Sequence, residues 1–132
     1  MDTNNLWGDL PELNTTKTPV QIVKEQASIL TQMTKGVLVG EVKPANWTRE
    51  FNYILSIRAP ALNNYSASIL IFGHPIAMYP LAIHDLVSTK SQSICSDEVA
   101  FVAALQKTLS SPEARKIISA LIVQSNATKA TE

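Results

Sequence analysis

The sequence predicts an α+β fold of two layers, a four-stranded antiparallel meander with one helix before it and two after it (α-β-β-β-β-α-α). Three observations carry this. A capped stripe of helical period fills residues 18–36, the apolar period changes to two over residues 37–83, and two more capped helical segments follow residue 96.

The first helix is placed at 19–35. Thr18, Pro19 and Gln21 reproduce a capping box with proline at the first helical position, and Gly36 supplies a left-handed stop. Val20, Val23, Ala27 and Leu30, with Ile22, Ile29 and Met33, form its apolar stripe.

Four strands are expected at 37–43, 50–59, 66–73 and 76–83. In the second, Phe51, Tyr53, Leu55 and Ile57 alternate with Asn52, Ser56 and Arg58, so one face is buried and one is wet; Ile54 is the exception. The intervening segments are too short for a crossover helix, so consecutive strands pair in the order one to four. Pro80 cannot donate to a ladder, which suits an edge position for the fourth strand. Residues 88–96 read as a polar loop.

Ser96 followed by Asp97 and Glu98 reads as the cap of a second helix over 97–109, and Ser111, Pro112 and Glu113 start a third that runs to Ser125. The expected organisation is an N-terminal arm (1–17), one α+β domain (18–125) and a flexible polar tail (126–132). At 132 residues the chain can bury a real core without staples.

Eleven basic residues balance eleven acidic ones, so no general attraction to nucleic acid or anionic lipid is built in. No apolar run approaches the roughly 20 residues that span a bilayer. A lone cysteine and a start without a basic head or apolar run point to a reducing, cytoplasmic setting. The expected partners are therefore a protein or a second copy of the chain. Nucleic acid and membrane are not expected, and a small molecule stays open.

Chemistry is sparse. His74, His84, Asp85 and Cys95 match no ligand spacing, and along a straight strand the two histidines lie about 30 Å apart, so turn and strand-end roles suit them better than metal binding. Cys95 stands just before a helix N-terminus, which favours a reactive thiolate, yet without a partner histidine it reads as a small buried hydrophobe. Gly36 to Gly40 runs from helix to strand, the wrong order for a phosphate loop, and no nucleophile elbow is present. No catalytic residue, metal site or cofactor is expected.

Four residues are candidates for interaction. Trp7 in the arm and Trp47 in the first strand connection either cap the core or anchor a partner. Ile118 and Ile122 belong to a third helix whose apolar girth, with Ile117, Ala120, Leu121 and Val123, exceeds what one core requires, so a second helix or a partner must cover the surplus. The function expected is a small non-enzymatic interaction module, of the bacterial accessory, inhibitor or immunity type, acting through an exposed apolar surface or as a homodimer. The alternative is a small-ligand protein or enzyme with a pocket between sheet and helices, lined from Tyr53, Tyr65, Tyr79, Arg58, His74 or His84.

Overall fold

The computed structural model describes residues 6–8 and 17–130. Most of the expected arm, 1–17, lies outside the described residues.

The described elements run α1 (Pro19–Met33), β1 (Val39–Pro44), β2 (Phe51–Ala59), a short 3-10 turn (Pro60–Leu62), β3 (Tyr65–His74), β4 (Leu81–Asp85), β5 (Gln92–Cys95), α2 (Glu98–Leu109) and α3 (Pro112–Ala130). All five strands pair antiparallel in the order β1-β2-β3-β4-β5. The sheet thus has one strand more than expected. β5 falls inside the segment read as a polar loop, because three of its four residues are exposed and only Cys95 is buried, which leaves no alternating apolar signal.

The fourth strand is also displaced from 76–83 to Leu81–Asp85. Pro80 stands just before it, after a cis peptide bond with Tyr79, and β4 is flanked by β3 and β5, so the edge position belongs to β5.

The helix signals hold with two adjustments. The Thr18 capping box forms as expected. Lys35 and Gly36 turn left-handed at φ 52° and 80°, and the Gly36 N–H reaches back to the Thr31 carbonyl at 2.9 Å, which stops α1. The cap of α2 is Asp97, not Ser96, because the Asp97 carboxylate accepts the Ala100 N–H at 2.9 Å. Ser111 caps α3 through Ala114 N–H at 3.1 Å, and the helix continues to Ala130, through alanines and a lysine that favour it.

One face of the sheet carries the core. Leu55, Ile57, Leu70, Phe72, Leu81 and Ile83 lie beneath Val23 and Ala27 of α1, Phe101 and Leu105 of α2 and Leu121 of α3. Between Leu55 and Ser56 the register slips: Leu55 pairs Leu70, Ser56 pairs Ser68, and Ile69 has no partner. This bulge turns the consecutive Ile69 and Leu70 both into the core.

Candidate functional site: an apolar groove between the helices

α1 is fixed against β1 and cannot slide over the sheet. A Cβ on Gly40 would lie 2.4 Å from the Ala27 carbonyl oxygen, so helix backbone rests directly on strand backbone. The Thr31 and Thr34 hydroxyls then accept the Gly40 and Leu38 N–H groups at 3.0 and 3.1 Å. α2 and α3 pack towards the other strands, and an apolar groove stays open between α1 and the α2–α3 corner.

Leu55, Ile57 and Ile69 form its floor, Ala27, Ile29, Leu30 and Met33 one wall, and Leu109, Ala114 and Ile118 the other, with Gln26 as the one polar group of the lining. The bulge therefore matters to the site, since it supplies Ile69. This deepest part encloses about 220 Å³ and leads into an open depression of about 460 Å³ beside Ile22, Val102, Leu105, Gln106, Ser110 and Arg115. Apolar side chains stand bare along the rim: Ile29 is 43%, Val102 44% and Met33 77% exposed. From Ile22 to Met33 the α1 wall is about 16 Å long, three helical turns.

Of the four interaction candidates, Ile118 is the one that lines this groove. Ile122 is half-buried and packs against the core, Ile117 and Leu121 flank a separate depression beside Leu62 and Tyr65, and Val123 points outward at 66% exposure. The wide apolar girth of α3 is thus divided among the core and two flanks. Trp7 is 82% exposed in a turn. Trp47 is half-buried on the face of the sheet opposite the core, its ring 6.4 Å from that of His84.

Trp47 stays there because its loop is pinned. Asn52 accepts the Arg49 N–H at 3.0 Å and donates to the Arg49 carbonyl at 2.6 Å, and this loop covers Gly73, where a Cβ would meet Asn52 Oδ1 at 2.3 Å.

The polar residues weighed for a ligand pocket do not converge. Arg58 pairs with Glu41 on the outer face, and its hydrogen bond holds the Glu41 carboxyl below the ordinary range. Tyr53 and His74 stack at 6.3 Å within a row of rings from Phe51 to Phe101 on the core side. The two histidines are not 30 Å apart, because the β3–β4 hairpin returns His84 to a position opposite Ile71, three residues from His74. They face opposite sides of the sheet, which still keeps them from one ion.

Asp85 is buried and fully occupied. It accepts N–H groups from Val87, Ser88 and Thr89 and hydroxyls from Ser88, Thr89 and Thr108, closing the turn before β5. Burial pushes its pKa up, but the Ser88 hydroxyl and the backbone donors outweigh that and bring it to about 2. Burial pushes the Cys95 thiol up, and the Asp97 charge adds to it, so this cysteine is held in its protonated, unreactive form. Among the described residues no group of three or more His, Cys, Asp or Glu side chains could hold a metal, and no helix is long and apolar enough to cross a membrane.

The groove wall from α1 was the part that sequence reasoning missed. Ile22, Ile29 and Met33 form a second line beside Val20, Val23, Ala27 and Leu30, and a stripe of that width was the available signal. Comparison with protein-family models, curated proteins and solved structures finds no match.

Proposed function

We propose that this chain is a non-enzymatic interaction module whose groove between α1 and the α2–α3 corner receives an amphipathic helix of a protein partner. The observation that carries the reading is the groove itself, three turns long, floored by Leu55, Ile57 and Ile69 and rimmed by bare Ile29, Met33 and Val102. Helix-in-groove recognition needs such a trough, with anchors at i, i+3, i+4 and i+7 entering it.

Size and polarity favour a peptide over a small molecule. The enclosed volume of about 220 Å³ falls below the roughly 300 Å³ at which drug-sized ligand pockets begin, and one glutamine supplies no convergent set of polar anchors. Arg115 is the one charged residue in the lining of the adjoining depression, so the partner helix is expected to carry a carboxylate at that end.

The test is a photo-crosslinker placed at Met33, with a second at exposed Asn64 as the control, in the cells that make the protein. Adducts specific to Met33 that map to an amphipathic helical segment of another protein support the reading. Adducts equal at both sites, or a second copy of this chain as the sole adduct, overturn it.

A further inference from the structure

The two edges of the sheet are treated differently. At β1 the outward N–H groups of Leu38 and Gly40 are taken by Thr34 and Thr31 of α1. At β5 nothing covers the strand. The Asp85 N–H bonds the Ser91 carbonyl, which fixes the alternation of the β4–β5 ladder, so Ser93 and Cys95 bond towards β4 while the N–H and C=O of Gln92 and Ile94 point outward. Gln92, Ser93 and Ile94 are all exposed, and the strand has no proline and no charged side chain, the devices by which natural edges are blunted.

Beside this edge lies a small cleft. Ser93 of β5, Thr89 and Ser91 of the preceding turn, and Ala104 and Lys107 of α2 line about 110 Å³. Ser93 pairs Ile83, so both belong to the core side, and a residue laid opposite Ser93 on an added strand projects the same way, under α2 and towards Lys107. Residues flanking it project to the other face, beside the 58% exposed Ile94. Lys107 forms no ion pair among the described residues, while the Asp85 carboxylate in the same cleft is already surrounded by donors.

We infer that β5 accepts an extended peptide by strand addition, with an acidic side chain opposite Ser93 facing Lys107 and apolar side chains flanking it. This surface is separate from the groove, and its partner is an extended segment rather than a helix.

The experiment uses the full chain, labelled with ¹⁵N, and the peptide acetyl-Thr-Val-Glu-Val-Thr-amide. Binding should slow exchange of the Gln92 and Ile94 amides by about tenfold or more. A lysine in place of the glutamate, or N-methylation of the peptide backbone, should weaken binding by about tenfold. Ile94→Pro removes an outward N–H without touching the β4 ladder and should abolish binding at an unchanged unfolding midpoint. Lys107→Glu, on the exposed side of α2, should reverse the preference between glutamate and lysine peptides. Exchange of Gln92 and Ile94 unaffected by peptide, or no change in peptide preference for Lys107→Glu, overturns the inference. Protection that appears without peptide and grows with protein concentration also overturns it, because β5 then pairs with a second copy.

Discussion

The Gly40 N–H donates to the Thr31 hydroxyl at 3.0 Å, and this contact joins α1 to the edge strand at the point where their backbones come closest. A methyl group at residue 40 would sit 2.7 Å from the Ala27 Cα, and neither backbone can move aside cheaply. Gly40→Ala is therefore expected to cost about 1–3 kcal/mol, or to push α1 off the strand. Urea unfolding checks this, and a midpoint equal to that of the parent chain would contradict the close approach.

Asp85 ties stability to acid pH. Its pKa is 3.8 when unperturbed and about 2 in the folded chain, so the folded state holds the ionised form more tightly. The resulting stabilisation is fully present above the unfolded value and is lost as pH falls through about 4 to about 2, a total of roughly 2 kcal/mol. Asp85→Asn should be less stable at neutral pH and show a shallower decline over that window. An equal decline in both proteins would refute the assignment.

The Thr18 cap is testable alone. Thr18 accepts the Gln21 N–H at 3.2 Å while the Gln21 side chain accepts the Thr18 N–H at 2.8 Å. Thr18→Ala should cost about 0.5–2 kcal/mol in a denaturant titration. No loss at all would show that α1 draws nothing from its cap.

What the sequence made legible follows the strength of local signals. Thr18, Pro19 and Gly36 act within one helical turn, so both ends of α1 could be read, and the alternation of Tyr53, Leu55 and Ile57 placed β2 within one residue. β5 was illegible because Gln92, Ser93 and Ile94 are held by backbone pairing to β4 rather than by burial. The bulge at Ile69 was hidden inside the apolar run Ile69 to Phe72, where every register looks alike. Ile118 was legible as surplus apolar surface, but the groove depends on the spacing between α1 and α3, which no local pattern encodes.

Ile69 isolates the contribution of the floor. Ile69→Ala should deepen the groove and cost about 2–5 kcal/mol of stability. Ile69→Val should cost about 0.5–1.5 kcal/mol, a difference that thermal unfolding resolves. Equal midpoints for both variants would place Ile69 outside the packed interior.

The central claim is that the groove takes an amphipathic helix. It is tested most directly by titrating the ¹⁵N-labelled chain with a helical peptide of about 12 residues that carries leucine at i, i+3, i+4 and i+7 and one glutamate at its end. The account predicts saturable shifts at Ile29, Met33, Val102, Arg115 and Ile118 that disappear in Ile29→Glu. Shifts scattered over the surface, or confined to the outer face around Trp47 and His84, would contradict it.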